Sequence, residues 1–310
     1  MIKVPQSIIL SCFLTFLFTF SSLDTGINNP STQFYAVSLG ASAGVVGLLF
    51  SLANINSAVL RIPLGFLMDK RGIKRIMTYA FAVSFLALLI ALFSDKWEIL
   101  TLAMLSAGLG DGILLCSQKY RISRSTNTDN RSAAFSLLFI ATFSATLIGS
   151  TLSGALMQNY GFHLPLILSV FIVLFSLPLS LKLPQVKPFN PTVQLGFFTG
   201  LRNMNRTVWL MTLFKTSFNS VNGITAIVYP LLLRYSFNLD PMVVGLILTL
   251  RSAVDLLGLM LAGRVRSTKG RMNLLSCVFF FIPLFISFAF INNLFGIIFL
   301  MCAIAFFNGL

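Results

Sequence analysis

"GFLMDKRGIKR", Gly65–Arg75, sets two glycines, one acid and four bases in eleven positions between two long apolar runs. The 310-residue chain is 56% hydrophobic and only 10% charged, with a mean hydropathy of +0.90. A soluble domain covers its core with a surface that brings charged residues to about a quarter of the total, and this chain has nothing like that. The stretch therefore reads as a polar connection between two membrane spans, and the protein as polytopic.

Apolar runs long enough to cross about 30 Å of hydrocarbon as a helix recur ten times: residues 7–32, 40–67, 74–93, 97–118, 131–157, 163–181, 207–233, 241–265, 272–291 and 294–310. They are continuous rather than alternating, which predicts helices, not barrel strands. The fold class is all-α.

Charge distribution orients the chain. With the N-terminus in the cytoplasm, the inside loops collect Lys3; Lys70, Arg71, Lys74 and Arg75; Lys119, Arg121, Arg124 and Arg131; Lys182, Lys187, Arg202 and Arg206; and Arg264, Arg266, Lys269 and Arg271. Of 22 bases, only Lys96 and Arg234 fall outside, while Arg61, Lys215 and Arg251 lie within apolar runs. This is the positive-inside pattern of a cell-membrane protein. The net charge of +14 thus reflects topology and anionic lipid, not nucleic acid. Cys12, Cys116, Cys277 and Cys302 sit inside apolar runs as packing residues, and the one histidine, His163, leaves no cluster for a metal. No cofactor is expected.

An internal repeat divides the chain. At an offset of 198 residues "VVGLLFSL", Val45–Leu52, overlies "VVGLILTL", Val243–Leu250, and "GFLMDKRG" then overlies "GRVRSTKG". Two related halves follow: a six-helix bundle over 1–182, a cytoplasmic linker over 183–205 containing Pro184, Pro188 and Pro191, and a second bundle over 206–310 with four helices. "FFNGL", Phe306–Leu310, resembles "GLGDG", Gly108–Gly112. By repeat logic two more helices should follow, so the second bundle is expected to be incomplete.

These residues carry a family resemblance. Gly65, Asp69, Lys70, Gly72, Lys74 and Arg75 match the loop signature between helices two and three of the major facilitator superfamily of secondary transporters, with Ile73 where a base is usual. "SLGASAGVVGLL", Ser38–Leu49, and "NTDNRSAAFSLL", Asn127–Leu138, are similar to the family's approaches to helices two and five. The resemblance implies two bundles around a cavity that opens alternately to each side. It also implies a gating role for the loop, with Asp69 facing the positive end of helix eleven. Ser267 replaces the acid in the second-half loop. Met104 stands where the family's antiporters carry arginine, and helix five lacks their proline, which argues against antiport.

An ionised side chain at mid-membrane costs on the order of 3 kcal/mol on insertion scales, so each embedded charge asks for a partner or water. In helix seven Lys215, Asn219 and Asn222 share a face with Thr212 and Thr216 beside them; that face lines a wet cavity or makes a polar helix contact. Asp24 overlies Asn222 in the repeat and shares a face with Ser7, Ser11, Thr15 and Ser22. It is either a proton-binding carboxyl or an acid solvated beyond the bilayer. Arg251 and Asp255, one turn apart, are placed to pair, and Asp255 is a second proton candidate. Asp111 falls in the inner half of helix four, where a loop base is an available partner. Ala141, Ala145, Gly149 and Ser153 form a small-residue row that predicts close helix packing.

The expected function is secondary transport of a small solute by alternating access, with a proton as candidate coupling ion. Lys215 and Arg251 favour an anionic or zwitterionic solute. The alternative is a truncated or non-transporting membrane protein that binds a partner polypeptide. Catalysis is not expected, because no nucleophile or metal-ligand arrangement is present.

Overall fold

A computed structural model describes residues 6–126, 128–185, 225–262 and 293–309, with single positions at 205, 206, 209, 223 and 287. The elements are α1 (Gln6–Ser21), a 3-10 turn (Gly26–Asn28), α2 (Ser31–Ser38), α3 (Ala43–Arg71), α4 (Ile73–Leu92), α5 (Trp97–Ser125), α6 (Thr128–Tyr160), α7 (His163–Leu181), α8 (Pro241–Ala262) and α9 (Leu294–Gly309). Residues 225–231 are also helical and run into a π turn, Leu232–Ser236. No strand occurs among the described residues, and the all-α class with about ten helices stands. Seven spans among them are long and apolar enough to cross a membrane.

Three boundaries differ from the hydropathy reading, each for a local reason. The signature Gly65–Arg75 is not a loop: α3 continues through Arg71, and Gly72 alone separates it from α4. Gly72 takes φ +82 and ψ 144 and gives its N–H to the Met68 carbonyl at 3.1 Å. That backbone region is essentially closed to other residues. Gly72→Ala is therefore expected to cost roughly 1–3 kcal/mol, seen as a lower Tm in detergent. Gly47→Ala, at an open helical position of α3, serves as control, and equal Tm values for the two variants would contradict the assignment.

Second, α5 runs seven residues past its apolar run. Arg121 is buried there, as are Ser117 and Gln118 at the end of the run. Gln118 Nε2 donates to the Ser11 carbonyl at 3.1 Å, and Arg121 Nη1 donates to the Pro184 carbonyl at 3.1 Å. Tertiary partners rather than lipid support these last turns.

Third, the first run is a helix, a break and a second helix. Unwinding after Ser21 frees carbonyls that lipid cannot satisfy, and nearby side chains take them up. Thr25 Oγ1 donates to the Thr19 carbonyl at 3.0 Å, and Asn28 Nδ2 donates to the carbonyls of Ser21 and Ser22, each at 3.1 Å. Gly26, at φ +60, lies so close to the end of α1 that a Cβ would run into the carbonyls of Thr19 and Phe20.

Helix α5 packs between α3 and α4, α7 lies on α4 and α1, and α6 joins α1 to α8, which packs in turn on α9. One apolar core runs through all of them, from Leu14 and Phe81 to Tyr229, Val244 and Met301. Large apolar side chains such as Leu48, Val59, Phe93, Phe171, Phe175, Phe295 and Phe299 point outward, as expected where the surrounding solvent is hydrocarbon.

Candidate functional site

The site is built by glycine spacing. A Cβ on Gly108 would meet the Ala53 carbonyl, and one on Gly112 the Ser57 carbonyl, so α5 lies backbone to backbone on α3. A Cβ on Gly110 would run into the Ser84 hydroxyl of α4, with the Ala80 carbonyl 3.3 Å away. Held on two sides by residues that leave no room for a side chain, α5 turns Asp111 toward the break in α1.

There Ser22, only 8% exposed, stands between two acids. Its Oγ lies 2.8 Å from Asp24 Oδ1, 3.2 Å from Asp111 Oδ1 and 3.4 Å from Asp111 Oδ2. A serine hydroxyl has one proton to donate, so it cannot serve both carboxylates fully. Two carboxyl groups that converge on one hydroxyl are able to share a proton as a unit. A small cavity lined by Ser21, Ser22 and Ser84 with Phe18, Leu88 and Ala107 adjoins it.

This places Asp24 against the middle of α5 rather than out beyond the helix ends. Asp111, expected in the inner half of its helix, sits at the midpoint because α5 is longer than its apolar run. Its meeting with Ser22 was not foreseen. The signal available in the sequence was "GLGDG", where glycines flank an acid in a span, as happens when backbones must close around it.

Arg251 lies with its guanidinium carbon 5.3 Å from the centroid of the Tyr229 ring, a cation–π contact. Its Nε is buried and has no hydrogen-bond partner. Asp255, one turn further along α8, is 6% exposed. Lys215, Asn219 and Asn222 lie outside the described residues. Of the signature, Gly65, Asp69 and Lys70 belong to the last turns of α3, while Lys74 is half-buried and Arg75 exposed at the start of α4.

The small-residue row of α6 packs as expected, onto the break. A Cβ on Gly149 would meet Gly26, and Ser153 Oγ accepts the Ser31 N–H at 3.3 Å. A neighbouring row faces α8. There Gly154 and Gly245 lie back to back, the Thr151 and Thr249 hydroxyls bond each other, and Thr249 Oγ1 also reaches the Leu147 carbonyl at 3.1 Å. Gln33 Nε2 adds a bond to the Ala226 carbonyl at 3.1 Å. The contacts with α8 join the C-terminal half of α6 to the N-terminal half of α8.

A bundle of long apolar helices with a broken first span and acids within it fits a polytopic transporter-type fold. The profile of the Major Facilitator Superfamily matches residues 14–310, and the chain belongs to that family. It is 27% identical over 184 residues to an uncharacterized MFS-type transporter, YxaM, of Bacillus subtilis (strain 168). That match covers 57% of this chain and 46%, less than half, of the relative. Among solved structures it is similar to the nucleoside transporter NupG, with TM-score 0.72 and 17% identity over 97% of this chain and 81% of that one. A bacterial homolog of the human lysosomal transporter Spinster superposes with TM-score 0.71 and 15% identity over 100% and 73%. A D-xylose-proton symporter does so with TM-score 0.70 and 12% identity over 97% and 78%. At these identities the likeness is one of fold.

Proposed function

We propose that this protein is a proton-coupled secondary transporter of a small anionic or zwitterionic solute. The observation that carries the coupling is the Asp24–Ser22–Asp111 cluster, two carboxyls converging on one hydroxyl between α1 and α5. A shared proton there is a charge whose presence changes how the two helices attract each other. The two halves, 1–182 and 206–310 about the linker 183–205, would move relative to each other around the solute. With the bases inside and the N-terminus cytoplasmic in the cell membrane, the α6–α8 seam and the Gln33–Ala226 bond favour a state closed to the outside. Gly65, Asp69, Lys70, Gly72, Lys74 and Arg75 would then form the inner gate.

Arg251 is the proposed anion contact in the described part of the second half, since its Nε is a buried donor with nothing to bond. Lys215, Asn219 and Asn222 are proposed to line the same cavity, with Asp255 as a second titrating acid. Arg251→Gln is expected to raise KM for an anionic solute about tenfold or more, the worth of a charge-assisted hydrogen bond, with Arg251→Lys intermediate. Initial rates against solute concentration give the answer, and an unchanged KM would remove Arg251 from the site.

The experiment for the reading as a whole is a solute screen in proteoliposomes, with and without an inward pH gradient. Accumulation of an anionic or zwitterionic solute that requires the gradient supports it. Uptake indifferent to the gradient removes the coupling, and uptake of neutral solutes alone removes the assigned solute class.

A further inference from the structure

Asn28 is fully buried in the turn after the break of α1. Its Nδ2 lies 3.1 Å from the Ser21 carbonyl, 3.1 Å from the Ser22 carbonyl and 2.8 Å from Ser169 Oγ on α7. Ser169 gives its own proton to the Pro165 carbonyl at 2.9 Å, so toward Asn28 it can only accept. Three acceptors on one side settle the orientation of the amide: its nitrogen, not its oxygen, must face them. The residue is therefore a fixed donor, anchored to a helix that is itself outside the break.

What it holds is the backbone that carries the acid pair. Residues 22–25 lie outside regular helix, so no i to i−4 ladder fixes the direction of the Ser22 and Asp24 side chains. Without Asn28 the carbonyls of Ser21 and Ser22 would be buried with lone pairs to spare, a cost the segment would relieve by rotating. Rotation of the Ser22 peptide by a few tens of degrees would carry its hydroxyl out of reach of one acid, because Oγ is already 3.2–3.4 Å from Asp111.

We infer that Asn28 is the positioning residue of the acid pair, holding the Ser22 hydroxyl between Asp24 and Asp111 through the Ser21 and Ser22 carbonyls, with Ser169 as its anchor. The inference rests on the proposed role of that pair as a proton site. Nothing in the contacts of Asn28 involves a carboxyl group, so it acts through the backbone alone.

The test needs no solute. Purified protein in lipid nanodiscs is titrated with acid while the infrared band of protonated carboxyl groups is followed. The double variant Asp24→Asn with Asp111→Asn assigns the band of the pair by removing it. Asn28→Ala is expected to displace the midpoint of that band by a pH unit or more, about tenfold in proton affinity, as loss of a hydrogen bond to a charged group does. Ser169→Ala, which removes one atom and no backbone partner of the break, is expected to displace it in the same sense by less, and it decides the matter if Asn28→Ala does not fold. If the double aspartate variant removes the band while both Asn28→Ala and Ser169→Ala leave its midpoint in place, the positioning role falls and the proton site stands. If no titrating band belongs to Asp24 and Asp111, both fall together.

Discussion

Asp24→Asn is expected to reach the membrane at the normal level and to lose uphill uptake altogether, falling to the rate of empty liposomes when an inward pH gradient is the only driving force. The amide keeps the shape of the carboxyl and can still accept the Ser22 hydroxyl, held at 2.8 Å from Oδ1, so the break in α1 should survive. What is lost is the pair. A lone Asp111 still takes up and gives off a proton, but without a second acid beside it the proton affinity of the site changes, and the load and release that couple the gradient to the solute fail. Solute exchange between two loaded faces moves no net proton and is expected to continue in the variant. Asp111→Asn should behave alike, and the double variant no worse than either, because the two groups act as one unit. Measuring gradient-driven uptake beside counterflow of the solute found in the screen separates the outcomes. Full uphill uptake by Asp24→Asn would remove the pair from the coupling mechanism.

The architecture was largely legible because lipid imposes one rule on every span: apolar outside, backbone bonded within. Continuous runs such as 163–181 and 74–93 coincide with α7 and α4 nearly to the residue. Where polar residues find tertiary partners, hydropathy alone misplaces the boundary. Arg121 reads as a loop base by composition, yet it closes α5 by reaching Pro184. The signature Gly65–Arg75 reads as a loop by charge, yet only Gly72 leaves the helical conformation.

The candidate site was legible by halves. Asp24 stands out in the sequence as an acid in an apolar run. Asp111 stands out less clearly, because its partner depends on which side of α5 faces α1, and that is settled by where three glycines let α3 and α4 approach. Side-chain volume missing from a sequence is harder to read than charge present in it. Ser22 and Asn28 carry no charge at all, and their roles follow only from the break that places one beside the acids and the other beneath the carbonyls.

The seam between α6 and α8 carries the other large effect. A side chain at Gly154 would meet the Pro241 carbonyl and the Gly245 backbone, and one at Gly245 would meet the Ser150 carbonyl, so the two helices are as close as backbones allow. On the proposed alternation between halves, this contact must form and part in each cycle. Gly154→Leu adds four carbons where there is room for none, and in a rigid bundle such overpacking costs roughly 1–3 kcal/mol or forces the helices apart. The expected result is a folded protein with a modestly lower Tm that has lost both uphill uptake and exchange, because the seam cannot close. Thr151 and Thr249, whose hydroxyls touch across the seam, provide the direct readout. With the native cysteines replaced, Thr151→Cys with Thr249→Cys should oxidise to a disulfide that stops transport, and a reductant should restore it. Adding Gly154→Leu should prevent the crosslink. A crosslinked protein that transports at full rate would mean that α6 and α8 stay together throughout the cycle, and the parting of the halves would have to take place somewhere other than this seam.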